Sequence, residues 1–470
     1  MRNGLEWLVM LAIFVPLVRT WLAESCVIVS GSMAPTLVGP HRDVVCSACG
    51  IAFAVGSQPD SEPLWTEARA ICPNCGSSAN PLGDLPDAPG DGLLVSRGAF
   101  GWRRPRRWEP VVFRDPSAGQ ARAVKRVVGF PGETIRLVDG NVVVDGQIAS
   151  KPLDVQRSLA ILVNDDRYRP MPTEGAADGR GISCWQARDA DQRAWQFAPG
   201  EFRFVGTAST DDAAAAELAW IDFRPRGPAT NEGAPSQAMR IDDHYGYNQS
   251  RPILELHTVN ELLLCCDLRV AGDGTVQLRA ADGNHVYEVT LDVSRPGATL
   301  AVDGQTVFER DNLPRAVKTN DVRCEVSTID RQFMVAFDGE ALFEPFEMLE
   351  HVPRGPAKNA DATHADGDAS DGAPLSIGAH GVDVRVRGAQ VFRDIYYTNL
   401  PTGYAKGTDQ NGSWRVGMDE LFVLGDNSPV SHDSRVAPNV AMEQLLGRPV
   451  LVYAPRRAVS WLGRQWNLLD

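Results

Sequence analysis

Short segments that alternate apolar and polar residues, closed by Asp-Gly pairs, recur through the second half of this 470-residue chain. Thr275-Val276-Gln277-Leu278-Arg279 and Val286-Tyr287-Glu288-Val289-Thr290-Leu291 carry the pattern. So do Thr299-Leu300-Ala301-Val302 before Asp303-Gly304, and Gln332-Phe333-Met334-Val335-Ala336-Phe337 before Asp338-Gly339. A period of two puts alternate side chains on opposite faces of a strand, so one face can be buried. Asp-Gly supplies adjacent residues that tolerate positive φ, as tight hairpins require. Residues 261–345 therefore predict an antiparallel β-sandwich.

A second β-rich region lies around it. The run Cys26-Val27-Ile28-Val29 reads as a buried strand. Gly90 to Val95, Trp108 to Pro116 and a segment carrying Lys125 and turning at Pro131-Gly132 read as further strands. Val138 to Ile148 reads as a hairpin turning at Asp139-Gly140-Asn141. Helical periods are few, and the chain is predicted to be mainly β. Residues 82–92 read as loop. Asp361, Asp366, Asp368 and Asp371 fall in a low-complexity stretch whose spacing does not fit a calcium loop, so a solvated loop is expected there. The length suggests about three units. A formal net charge of −14, from 46 Lys+Arg and 60 Asp+Glu, argues against a nucleic-acid partner.

Leu5 to Leu22 is an apolar stretch interrupted by Arg19. It is short against the ~20 residues a spanning helix needs. Arg19 lies near its far end and can snorkel, Trp7 and Trp21 occupy interfacial positions, and no good small-x-small cleavage site follows. Residues 1–24 are read as a transmembrane anchor in membrane lipid, against a cleaved signal peptide or a buried helix. Arg2 and the amino terminus favour an inside N-terminus.

Four of the nine cysteines form two knuckles, Cys46-Ser47-Ala48-Cys49-Gly50 and Cys72-Pro73-Asn74-Cys75-Gly76. Two thiolates per turn, paired across a hairpin, suit tetrahedral Zn²⁺, and a closed four-sulfur site is structural. Two disulfides are the competing reading. Cys26, Cys184, Cys265, Cys266 and Cys324 lack such spacing and read as buried thiols.

Three blocks carry chemistry. Ser30-Gly31-Ser32-Met33-Ala34-Pro35-Thr36-Leu37 follows the anchor. Val124-Lys125-Arg126-Val127-Val128-Gly129-Phe130-Pro131-Gly132-Glu133 comes later. Gly425-Asp426-Asn427-Ser428 runs on to Ser431-His432-Asp433-Ser434-Arg435. A serine hydroxyl needs a base to take its proton. Lysine serves only if its pKa is depressed, as burial among Val124, Val127 and Val128 would do. Alone, Ser-Gly-Ser is a turn and Lys125 an exposed strand lysine. In this order the blocks resemble the type I signal peptidases, membrane Ser/Lys endopeptidases, over 1–45, 82–152 and 413–457.

The resemblance implies Ser32 as nucleophile and Lys125 as general base, with Ser30 and the Ser32 N–H as oxyanion hole. It implies Ser431 bonding the lysine, and Asp433 and Arg435 as structural ion-pair residues with Arg126 a possible partner. Gly425, Asp426 and Asn427 become a turn beside the site. Ser428-Pro429 stands where the family often has a basic residue. Consecutive Ser431, His432 and Asp433 cannot converge as a triad, so His432 is expected to be solvated. Ile28, Met33, Leu37 and Val124 are candidates to line shallow pockets for small side chains of secretory precursors.

The expected plan is an anchor over 1–24, core over 25–45, zinc ribbon over 46–81, core over 82–152, inserted sandwich over 153–412, and core with tail over 413–470. The ending of the sandwich, Val391-Phe392-Arg393-Asp394-Ile395-Tyr396-Tyr397, is similar to the last strands of concanavalin-like jelly rolls. The fold class is thus a signal-peptidase-like β core with one transmembrane helix, a zinc ribbon and a jelly-roll-like sandwich. The expected function is signal-peptide cleavage without a catalytic cofactor, on the extracytoplasmic side of the cytoplasmic membrane. The alternative is a tethered binding protein whose sandwich takes glycan or protein. The sandwich is expected to be a removable module.

Overall fold

The computed structural model describes residues 10, 23–57, 69–170, 182–188, 191, 194–206, 218–225, 240–249, 256–313, 317, 321–349, 372–399 and 412–454. Most of the expected anchor and the Asp-rich stretch before Gly372 lie outside these residues. Among the described residues no helix is long and apolar enough to cross a membrane.

One seven-stranded antiparallel sheet carries the three chemical blocks. Its order is Ala23–Val27, Gly92–Ser96, Leu445–Ala454, Pro110–Asp115, Ala121–Gly129, Glu420–Leu424 and Val440–Ala441. A four-stranded sheet built on Thr134–Val138 and Asn141–Val144 packs beside it. The Asp-Gly hairpins form as their chemistry requires. Asp139 and Gly140 take φ of 48° and 85°, and Asp303-Gly304 and Asp338-Gly339 likewise take positive φ at both positions. Two successive left-handed residues match the right-handed twist of the paired strands.

The middle of the chain forms two antiparallel sheets on one apolar core. Leu262–Ala271, Val322–Ser327, Gln332–Phe337 and Asp383–Arg393 belong to a nine-stranded sheet. Thr275–Ala281, Val286–Asp292, Gly297–Val302 and Leu375–His380 belong to a seven-stranded one. Their inward residues, including Leu264, Leu268, Leu278, Val289, Phe333 and Ile377, share a single buried cluster.

Two expected boundaries shift. The cysteine unit begins at His41 and includes Asp87–Ala88, which pairs with His41 and Arg42. A two-residue strand is too short to show a period, so 82–92 reads as loop. The sandwich is also not a pendant domain. Leu159, Ile161, Ile395 and Tyr397 from within 153–412 share a core with Trp108, Ile135, Phe422 and Leu424. Leu162, Leu263, Ile329 and Phe392 share another with Val44, Phe53, Val55 and Cys72 of the cysteine unit. A charged cluster joins the halves. Lys151 Nζ lies 2.9 Å from Asp394 Oδ2, also pairs with Asp330, and sits 4.8 Å from the Trp108 ring centre. All three charged residues are buried.

Candidate active site

Ser32 and Lys125 meet. The Lys125 Nζ donates to Ser32 Oγ at 2.5 Å across 93 residues of sequence. Lys125 sits mid-strand opposite Val111, with 6% of its surface exposed. Burial pushes its pKa down, which outweighs the opposing pull of the Asp433 and Asp426 carboxylates. A lysine in this setting can lose its proton near a serine hydroxyl and act as base. Ser30 is exposed, with its Oγ 3.4 Å from Ser32 Oγ.

The third block wraps this pair. Asn427 holds the Ser32 loop twice, with its backbone N–H on Ser32 O at 3.0 Å and its Nδ2 on Gly31 O at 2.9 Å. Gly425 passes so close that a Cβ there would stand 2.5 Å from Ser32 O and 2.2 Å from Ser431 Oγ. Asp433 and Arg435 pair with each other, Nε to Oδ1 at 2.8 Å and Nη2 to Oδ2 at 2.9 Å. Burial raises the Asp433 carboxyl, but the Arg435 guanidinium and the Gly425 N–H outweigh it and hold the group below its usual range.

Two assignments change. Arg126 takes Asp426 as its partner, Nε to Oδ1 at 2.8 Å and Nη2 to Oδ2 at 2.6 Å. Asp433 is already saturated by Arg435, so the two arginines divide the two carboxylates. Ser431 is buried beside the site, and its hydroxyl has no hydrogen-bond partner among the described residues, Lys125 included. His432 is exposed, as expected.

Ile28, Met33, Leu37 and Val124 lie in one apolar cluster with Leu93, Val95 and Val112. Met33 and Leu37 have 1% and 0% exposure, so they form the floor beneath the Ser32 loop and offer no free surface. The side chains exposed there are Val27 and Val29, at 55% and 75%. Strand alternation could have separated them from Ile28.

Cys46, Cys49, Cys72 and Cys75 bring their sulfurs within 4.8 Å of one another. Cys46–Cys75 and Cys49–Cys72 Sγ separations are 3.6 and 3.7 Å. A disulfide would need ~2.05 Å. Tetrahedral Zn–S bonds of ~2.3 Å imply S···S edges of ~3.8 Å, so the donor set and its size fit a metal. Gly50 and Gly76 take φ of 76° and 73° and close each knuckle by donating to the Cys46 and Cys72 carbonyls.

Sequence reasoning missed Tyr247 and Asn248. Tyr247 packs under the nucleophile loop with Ala34 and Val38. Asn248 pairs with the Asn427 amide. No local pattern marks either residue.

The model of the family described as signal peptidase, peptidase S26, matches residues 74–184 and 379–454, which include Lys125 and Gly425–Arg435; Ser32 precedes the match. The chain is 30% identical over 129 residues to a probable signal peptidase I-2 of Synechocystis sp., covering 25% of this chain and 53% of that protein. It is 35% identical over 65 residues to signal peptidase I of Leptolyngbya laminosa, covering 12% and 32%. The chain thus spans about half the length of the first relative and about a third of the second. The carbohydrate-binding module CBM66 from Bacillus subtilis is similar at 8% identity over 48% of this chain and 96% of that one, with a TM-score of 0.22 that carries no argument about the sandwich. By the split match around the lysine and Gly-Asp-Asn blocks, the chain is similar to the signal peptidases, peptidase S26, over the segments that carry Lys125 and Gly425–Arg435.

Proposed function

We propose that this protein is a Ser/Lys endopeptidase that cleaves N-terminal signal peptides from exported precursors. The observation that carries the reading is the 2.5 Å contact between a buried Lys125 amine and Ser32 Oγ. In the proposed reaction neutral Lys125 takes the Ser32 proton as the hydroxyl attacks the scissile carbonyl. The Ser30 hydroxyl and Ser32 N–H would receive the charge developing on the carbonyl oxygen, a contribution of a few kcal/mol to the barrier. Lys125 then returns the proton to the leaving amine, and water releases the acyl-enzyme by the same base.

The precursor would lie extended along the strand before Ser32, over the floor made by Ile28, Met33, Leu37 and Val124. Residues 1–24 would anchor the enzyme in the cytoplasmic membrane, with the catalytic part on the extracytoplasmic side. Cys46, Cys49, Cys72 and Cys75 would hold a structural Zn²⁺ away from the chemistry.

The test is incubation of detergent-solubilised full-length protein with a secretory precursor, followed by N-terminal sequencing of the product. Cleavage at the mature N-terminus is expected. Ser32→Ala and Lys125→Ala should each lose it while still unfolding cooperatively. Substantial activity in either folded variant removes the dyad.

A further inference from the structure

We infer that the turn Gly246–Asn248, which the sandwich sends back to the active site, is a positioning element for the nucleophile; the inference rests on the peptidase reading above. Asn248 and Asn427 form a reciprocal amide pair. Asn248 Nδ2 donates to Asn427 Oδ1 at 2.7 Å and Asn427 Nδ2 donates to Asn248 Oδ1 at 2.8 Å. The second N–H of Asn427 Nδ2 is the donor that holds Gly31 O at 2.9 Å. Asn427 is 1% exposed, and with leucine at 248 its amide would face an apolar side chain in place of a partner. Without that partner a buried amide loses a donor and an acceptor together, and the orientation that fixes Gly31 is no longer determined.

Of the neighbours of Asn248, Tyr247 acts on the same loop and Gln249 on the cysteine unit. The Tyr247 ring lies where a Cβ on Gly31 would stand, 2.3 Å from its Cε1, and its hydroxyl donates to Pro40 O at 3.0 Å. The loop therefore has a solid backing only while Tyr247 is in place. Gln249 clasps Ile71 of the cysteine unit through both amide atoms, accepting from its N–H and donating to its carbonyl at 2.6 Å. The root of this turn is fixed to the sandwich. Arg393, on the Asp383–Arg393 strand, donates to Asp243 O at 2.9 Å and His244 O at 3.0 Å. Asp243 also pairs with His257 at 2.9 Å across the loop base.

A continuous set of contacts thus runs from a sandwich strand through Arg393, the 243–248 segment and Asn427 to the carbonyls of Gly31 and Ser32. The sandwich acts on Ser32 by holding the loop at its 2.5 Å distance from Lys125. Displacement of reacting groups by about 1 Å can cost ~100-fold in rate.

The experiment compares full-length wild type with Asn248→Leu, Asn248→Asp and Gln249→Leu in precursor cleavage, alongside hydrogen–deuterium exchange of residues 28–38. Asn248→Leu should lower kcat about 10- to 100-fold with KM unchanged, and should speed exchange across 28–38. Asn248→Asp keeps the acceptor for Asn427 Nδ2 and should fall between. Gln249→Leu should loosen the cysteine unit around Ile71 and leave kcat unchanged. An unchanged kcat in Asn248→Leu overturns the inference while leaving the peptidase standing. So does an equal loss in Gln249→Leu, which would mean general loosening. If wild type cleaves no precursor, the peptidase reading fails; the exchange data then decide alone, and unaltered protection of 28–38 in Asn248→Leu overturns the positioning role.

Discussion

Replacing residues 155–410 by a short Gly/Ser linker should leave a protein that does not fold, contrary to the modular expectation that the sequence encourages. The linker removes Leu159, Ile161, Ile395 and Tyr397 from the core they share with Trp108, Ile135 and Phe422. Each such side chain contributes about 1.5–3 kcal/mol by burial, so the loss at this one junction is roughly 6–12 kcal/mol. That equals the ~5–15 kcal/mol by which a whole domain is ordinarily stable. The second junction adds to it, because Leu162, Leu263 and Phe392 leave the cysteine unit. Lys151 also loses Asp330 and Asp394, the two carboxylates that tie it to the sandwich. The assay is thermal unfolding followed by near-ultraviolet circular dichroism, with limited proteolysis of the purified chain. The expected outcome is no cooperative transition and rapid digestion. A cooperatively folded linker protein that cleaves precursor would refute the burial argument, because the cores at the two junctions would then be dispensable.

Cleavage rate should rise with pH as Lys125 loses its proton and level off below the free-lysine range of about 10.4; a rate independent of pH from neutrality upward would remove lysine as base. The same lowered pKa makes Lys125 a cost to folding that shrinks as pH rises toward the unfolded value, since the unfolded chain binds more protons between the two pKa values. Lys125→Met should therefore gain most over wild type at neutral pH, and denaturant titration at neutral and alkaline pH measures the difference. Protein purified without added metal should carry about one zinc per chain, by the four-thiolate set. Its removal by chelator should speed proteolysis within 41–88 and lower the melting temperature; zinc-free protein with the wild-type melt would show the metal to be dispensable.

Local chemistry is what the sequence displays. Asp303-Gly304 and Asp338-Gly339 declare hairpins because the backbone angles they adopt are open to few other pairs. Cys46-x-x-Cys49-Gly50 declares a knuckle because one glycine with positive φ aims an N–H back at Cys46. Asp433 and Arg435 are two residues apart and pair accordingly. Partners distant in the chain are hidden. Arg126 and Asp426 are 300 residues apart, and both Asp426 and Asp433 offer it a carboxylate. Only the fold, by assigning Asp433 to Arg435, settles which one it takes. Asn248 is less legible still, since a lone asparagine in a Gly-Tyr-Asn turn reads as turn chemistry. The shared cores at the two junctions cannot be seen either. Leu159 and Ile161 look like the first residues of an insert, and their burial depends on Trp108 and Phe422 arriving from elsewhere.

The way the carboxylates are divided explains how Lys125 keeps a lowered pKa in acidic surroundings. Asp433 and Asp426 both favour the charged lysine, and two unpaired carboxylates at this depth would hold the proton on it. Each instead faces its own guanidinium, Asp426 with Arg126 and Asp433 with Arg435, in buried two-point contacts. Arginine stays charged even when buried, so neither pair can relax by giving up its proton. The field at Lys125 is then that of two near-neutral pairs, and desolvation decides the outcome. The same two pairs shape the site. Arg126 also donates to Thr36 Oγ1 at 3.2 Å in the serine block, and Arg435 donates to Ser428 O at 2.7 Å in the turn that follows Asn427. The groups that neutralise the carboxylates therefore also hold the segments bearing Ser32 and Asn427 against the lysine strand. The lowered Lys125 pKa and the fixed place of Ser32 come from one arrangement of four charged side chains.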